Sequence, residues 1–174
     1  MLIKTITVGA YETNCYVVAD EKTLECAVID PGSDAAAILD YLEETRLNCR
    51  FVLLTHGHFD HTGAVGDILA ETEARLFMHK ADVGVTIGGD YYRFVPPEGT
   101  TYYTDGDTVC VGALSFTVIE TPGHTPGSSV SNSSSVSACA FCCSAAPSAR
   151  QISSGGQGKR SVRLAEAFMR RPRL

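Results

Sequence analysis

The stretch Phe51-Val52-Leu53-Leu54-Thr55-His56-Gly57-His58-Phe59-Asp60-His61 decides the reading of this chain. Its first four residues form a short apolar run of the kind that makes a buried strand. Directly behind them, three of the chain's five histidines fall within six residues. His56 and His58 are two apart, so on extended backbone both imidazoles face one side. Asp60 and His61 follow as the chain turns towards a helix, on a different azimuth. Two neighbouring sets of nitrogen and oxygen donors at a strand end are what a pair of divalent ions about 3.5–4 Å apart requires. Gly57 has no side chain to crowd the donors, and Gly63 lets the following turn approach closely. Burying four titratable groups at a strand end without a metal is costly.

The fourth histidine of interest, His124, stands in Thr121-Pro122-Gly123-His124-Thr125-Pro126-Gly127. It also follows a predicted strand, in a Pro/Gly loop rigid enough to hold an imidazole. Three imidazoles at one ion with an open position are a catalytic zinc pattern, and imidazole with carboxylate also suits iron or manganese. His79, in Met78-His79-Lys80, is read as a structural residue at a helix start or on the surface. Asp30, in Asp30-Pro31-Gly32, either shapes its own turn or supports the metal loop from behind.

Working outward, Leu2–Val8 alternates like a half-buried strand, and Cys15–Ala19 and Ala27–Ile29 form a strand pair across a polar turn. Ser33 or Asp34 is placed to cap a helix carrying Ile38, Leu39 and Leu42. Val65, Ile68 and Leu69 mark a second helix, and Leu76–Met78 another strand. Asp107–Val111 and Leu114–Glu120 make a hairpin around Gly112. Strands come both in hairpins and alternating with helices, which predicts an α/β (α+β) domain with helices packed on a mixed sheet. Tyr91-Tyr92-Arg93 and Tyr102-Tyr103 fall in a loop-like stretch, as packing residues or as the lining of a substrate cleft.

With 174 residues, 44% of them hydrophobic, the chain is sized for one domain with a real core. No apolar run approaches the roughly 20 residues of a membrane span. Seven cysteines without a secretory leader pattern point to a reducing, cytoplasmic setting, with Cys15, Cys26, Cys49 and Cys110 as core residues. The net charge of −6 divides unevenly. Residues 1–149 hold 7 Lys/Arg against 19 Asp/Glu, and residues 150–174 hold 7 Lys/Arg against the single acid Glu166. The stretch 128–154 is rich in serine, with 11 in 27 residues. Composition therefore separates a folded part, residues 1–130, from a Ser/Cys-rich then basic tail, residues 131–174.

Thr-His-x-His-x-Asp-His after an apolar strand, followed by Thr-Pro-Gly-His-Thr-Pro-Gly-Ser, resembles the metallo-β-lactamase fold superfamily. Val8-Gly9-Ala10-Tyr11-Glu12-Thr13-Asn14-Cys15-Tyr16 and Ile29-Asp30-Pro31-Gly32 bring the likeness closest to its glyoxalase II (hydroxyacylglutathione hydrolase)-like branch. The resemblance covers residues 1 to about 130. It implies an αββα sandwich with a dinuclear zinc site, in which His56, His58 and His124 bind one ion and Asp60 and His61 the other. It also implies hydrolysis of a small-molecule thioester by a metal-bound hydroxide, oriented by Asp60 as the catalytic carboxylate. The rival activity that the likeness admits is a persulfide (sulfur) dioxygenase with mononuclear iron.

Beyond Gly127 the chain departs from that pattern. The family's bridging Asp and last metal-binding His have no counterpart, since no Asp follows Asp107 and no His follows His124. The sandwich is therefore expected to be incomplete in its C-terminal half, and an inactive, truncated metallohydrolase is the third reading. Reading Cys142 to Ser153 one base earlier permits Leu-Phe-Arg-Arg-Ser-Ile-Gly-Gln-Thr-Asp-Phe, which resembles the missing family segment. Residues 131–174 are thus expected to be a frameshift product or a disordered tail, with one helix candidate at Val162–Met169. Lys159-Arg160 and Arg170-Arg171-Pro172-Arg173 carry charge without interleaved aromatics, so neither a specific nucleic-acid partner nor a membrane partner is expected. No feature of the sequence fixes an oligomeric state.

Overall fold

The computed structural model describes residues 1–86, 93–134 and 162–163. Among the described residues, ten strands and three helices follow one another as β1 Leu2–Val8, β2 Thr13–Ala19, β3 Glu25–Ile29, α1 Ala35–Thr45, β4 Asn48–Leu53, α2 Phe59–Thr62, α3 Val65–Glu71, β5 Arg75–His79, β6 Thr101–Tyr103, β7 Thr108–Val111, β8 Leu114–Glu120, β9 Ser129–Ser134 and β10 Val162–Arg163. A 3-10 turn, Lys80–Asp82, follows β5. The first sheet has the order β1-β2-β3-β4-β5-β6 and the second β10-β9-β8-β7. β1, β2 and β3 pair antiparallel, whereas β3 to β6 run parallel. The second sheet is antiparallel throughout.

The central strands are apolar on both faces because each face has a different partner. Cys15, Val17, Val28, Val52 and Leu54 join Ile38 and Leu42 of α1 and Val65 and Ile68 of α3 in one core. Tyr16, Val18, Ala27, Ile29, Phe51 and Leu53 meet Val109, Val111, Leu114 and Phe116 of the second sheet in another. The period-2 alternation holds except at β4. There the register slips between Cys26 and Ala27, so that Cys49 and Phe51 on opposite faces flank Arg50. The described residues thus supply three layers: helices, first sheet, second sheet. Among the described residues the outer helical layer of the expected αββα order has no counterpart.

Several local expectations change. Asp34 does occupy the N-cap of α1, but with φ 54° and no side-chain cap hydrogen bond. Its carboxylate instead accepts from the Gly9 amide at 2.7 Å, tying the β1–β2 turn to the start of the helix. Tyr102 and Tyr103 lie not in a loop but on β6, where the buried Tyr103 hydroxyl donates to the Leu54 carbonyl. Tyr91 and Tyr92 lie outside the described residues. Val162 and Arg163, expected to open a helix, pair with Ser133 and Asn132 as a two-residue strand. The rest of that helix candidate is likewise outside the described residues. Cys15, Cys26 and Cys49 are buried free thiols. Cys110, half-buried on β7, is not a free thiol. No helix among the described residues is long and apolar enough to cross a membrane.

Candidate metal centre

The chain leaves β4 at Leu53 and bends at Thr55 and His56, so the strand stops before the first histidine of the motif. His58, still extended (φ −70°, ψ 149°), is the N-cap of the single turn α2, which carries Asp60 and His61. The bend does not separate the imidazoles. Ring nitrogens of His56, His58 and His124 all lie within 4.8 Å of one another. His58 Nδ1 and His124 Nε2 are 3.0 Å apart. Tetrahedral zinc with Zn–N bonds of about 2.0–2.1 Å places two ligand nitrogens about 3.3 Å apart, so this spacing suits a shared ion. His56 and His58 are buried, and His124 is exposed at the rim.

Two observations on the donors themselves point to a cation. His56 Nε2 is buried without any hydrogen-bond partner, an uncommon and costly condition for a polar atom. Burial, with His61 adding to it, pulls the His56 pKa down to about 4, leaving its lone pair free at neutral pH. Burial and the neighbouring His124 lower His58 as well. His61 goes the other way. Burial opposes its charge, but Asp30 and then Asp60 outweigh burial and raise its pKa. His61 Nδ1 lies 3.1 Å from Asp30 Oδ2, an ion-pair distance without the alignment of a hydrogen bond, and its Nε2 lies 3.5 Å from Asp60 Oδ2. Thr13 donates to the same Asp60 oxygen at 3.3 Å.

Asp30 does more than shape its own turn. It is fully buried, with φ 53°, and its carboxylate accepts from the Thr55 amide at 2.7 Å and the Thr55 hydroxyl at 2.6 Å. It therefore anchors the start of the histidine loop while facing His61. Gly32, two residues on, has no room for a side chain: a Cβ there would sit 1.6 Å from the Asp60 carbonyl oxygen. The Asp-Pro-Gly turn and the histidine turn are packed backbone against backbone.

Sequence reasoning missed Asp82. This residue ends the 3-10 turn after β5 and is fully buried. One carboxylate oxygen accepts from the Gly57 amide at 3.1 Å and the Thr125 hydroxyl at 2.7 Å, and the other accepts from the Gly127 amide at 2.7 Å. A single side chain thus joins the loop between His56 and His58 to the loop that carries His124. Gly57 is required for this, because a Cβ would meet the Asp82 carbonyl oxygen at 2.4 Å. The Ser129 amide adds a fourth link by donating to Thr55 O at 2.9 Å. His79 caps the 3-10 turn through its side chain, as a helix-start residue, and pairs with Glu120 at 3.0 Å.

Comparison with known proteins identifies the family. The model of the metallo-β-lactamase superfamily matches residues 8–137. The chain belongs to that superfamily. A protein of Aquifex aeolicus, uncharacterized by name, is 38% identical over 134 residues, covering 73% of this chain and 63% of its own length. The hydroxyacylglutathione hydrolase GloC of Haemophilus influenzae is 30% identical over 141 residues, covering 73% of this chain and 64% of its own. The crystal structure of the B3 metallo-β-lactamase BLEG-1 superposes with a TM-score of 0.66 at 29% identity, covering 75% of this chain and 66% of that one. The chain spans under two thirds of the length of both curated relatives. It has the metallo-β-lactamase fold, and the match to a hydroxyacylglutathione hydrolase puts it in the glyoxalase II-like part of the superfamily.

Proposed function

We propose that this protein is a metal-dependent thioester hydrolase, acting on hydroxyacyl thioesters of a small thiol. The observation that carries the reading is the convergence of three imidazoles around the orphaned His56 Nε2, with Asp60 and His61 on the adjoining turn. His56, His58 and His124 would hold one ion, zinc by the chemistry of an all-nitrogen set. Asp60 and His61, on the adjoining turn, would offer donors to a second. When bound, such an ion supplies Lewis acidity towards a carbonyl oxygen and lowers the pKa of water towards 7.

The chain's own residues set the geometry for that chemistry. The Thr13 hydroxyl and His61 Nε2 both meet Asp60 Oδ2, which fixes that oxygen, and the carboxylate can accept a proton from an attacking water. Asp30 keeps charge next to His61 and fixes Thr55 at the mouth of the loop. The free thiols Cys15, Cys26 and Cys49 belong to the core between sheet and helices, so no side-chain nucleophile among them is available for a covalent route. The relative named hydroxyacylglutathione hydrolase supports a thioester over other carbonyl substrates. The test is hydrolysis of S-lactoylglutathione by the zinc-loaded chain. Turnover that chelation abolishes, and that His58→Ala lowers by at least about 100-fold, is expected. Chelator-insensitive turnover, or none with the histidine site loaded, would overturn the reading.

A further inference from the structure

The three imidazoles reach the site by unequal routes. His56 and His58 stand on one short run, whereas His124 comes 66 residues after His58, on a loop at the exposed rim. Asp82 fastens the far end of that loop at Thr125 and Gly127. Its near end is fastened by another side chain. Glu120 is the last residue of β8 and leads directly into the Thr121-Pro122-Gly123-His124 segment. Its Oε1 lies 3.0 Å from His79 Nε2. The same oxygen accepts from the Asp105 amide at 3.0 Å, and the Glu120 amide donates to Asp105 Oδ1 at 3.0 Å. The end of β5, the β6–β7 turn and the end of β8 therefore meet at one carboxylate.

Capping the 3-10 turn accounts for only one nitrogen of His79. Nδ1 accepts from the Ala81 amide at 3.2 Å, so the neutral ring carries its proton on Nε2 and donates it to Glu120. The His79 side chain is 17% exposed, so water competes little for that bond. Gly127, at the far stem of the loop, passes so close that a Cβ would sit 2.6 Å from His79 Nδ1 and 2.8 Å from Asp82 Oδ1. One imidazole at the end of the first sheet thus meets both stems of the loop that carries His124. With the near stem pinned, an incoming ion finds a preformed loop. With it released, residues 121–124 must be ordered when the ion binds, and that entropy opposes binding.

We propose that His79 is a positioning residue of the metal centre: through Glu120 it holds residues 121–124 so that His124 stands ready as a ligand. The proposal rests on the three imidazoles being a cation site and not on the substrate. The experiment uses the full chain and zinc alone, with competition against a chromogenic chelator. His79→Asn keeps an acceptor for the Ala81 amide but is too short to reach Glu120, whereas His79→Gln reaches Glu120 and gives up the cap. His79→Asn and Glu120→Ala should each weaken zinc binding about 10–100-fold, and the double variant no further than either alone. His79→Gln should restore affinity to within about threefold of wild type. A second readout needs no metal. The Thr121 amide bonds across the loop stem to Ser128 O at 2.7 Å. Its hydrogen exchange in the metal-free protein should speed at least about tenfold in His79→Asn and stay near wild type in His79→Gln. Affinity lost in His79→Gln and kept in His79→Asn marks a cap alone and overturns the proposal. Losses that multiply in the double variant overturn it as well. A wild-type chain without tight zinc, with exchange still following His79, contradicts the cation site alone. Tight zinc with affinity and exchange indifferent to His79 contradicts the positioning role alone.

Discussion

Asp82 offers the sharpest perturbation, because one buried side chain joins two ligand loops that are far apart in sequence. In Asp82→Asn the amide oxygen can keep the place of the oxygen shared by Gly57 and Thr125, and the NH2 then faces the Gly127 amide, donor against donor. That exchange removes one hydrogen bond to a charged acceptor, about 1.5–3 kcal/mol, and leaves a buried N–H unpaired, at about 1–3 kcal/mol. The two effects overlap, so a loss of about 3 kcal/mol is expected for the metal-free protein. For a domain of this size each kcal/mol shifts Tm by about 2–4 °C, so the midpoint should fall by about 6–12 °C. The His124 loop loses a tether at the same time, and zinc affinity should drop about 10–100-fold, as for other supporting residues behind metal ligands. Thermal melts of the metal-free protein and zinc competition against a chromogenic chelator read the two effects separately. A stability loss under about 1 kcal/mol, or a large loss with unchanged zinc affinity, would refute the idea that Asp82 holds the two loops in register.

Three further outcomes follow from the same geometry. His56 has a folded pKa near 4 against 6.5 unperturbed, so the unfolded state takes up its proton first as pH falls. Metal-free stability should therefore decline between pH 6.5 and 4 by about 3 kcal/mol more in the wild type than in His56→Gln, by urea denaturation at each pH. Asp30→Asn removes the charge that outweighs burial at His61, so the His61 pKa, raised in the wild type, should fall below 6.5 in an NMR titration. Tyr103→Phe leaves the buried Leu54 carbonyl without its hydroxyl donor and should cost about 1–2 kcal/mol in chemical denaturation, with zinc stoichiometry unchanged.

What could be read from the chain alone was whatever sits in local pattern. The apolar runs of β2 and β3, the alternation of β1 and the hairpin around Gly112 carry their partners' demands in neighbouring residues, and each is found where the pattern puts it. His56, His58, Asp60 and His61 stand close in sequence and are close in space. Asp82 was illegible because its three partners lie 25 to 45 residues away and its local setting, Lys80-Ala81-Asp82, reads as an ordinary helix start. Asp30 was ambiguous for the same reason: a turn residue and a buried anchor look alike until Thr55 and His61 are brought up to it. Asp34 fits a cap by residue type, yet its left-handed backbone turns the carboxylate towards Gly9. β6 was missed because a strand of three residues, two of them exposed, shows no period of its own.

The central claim is that the three imidazoles form a site for a divalent cation. Calorimetric titration of the metal-free 174-residue chain with zinc tests it most directly. At least one tight site per chain is expected, lost in His56→Gln and in His124→Gln and retained in His79→Gln. Absence of a tight site, or a site that survives both ligand substitutions, would contradict the account.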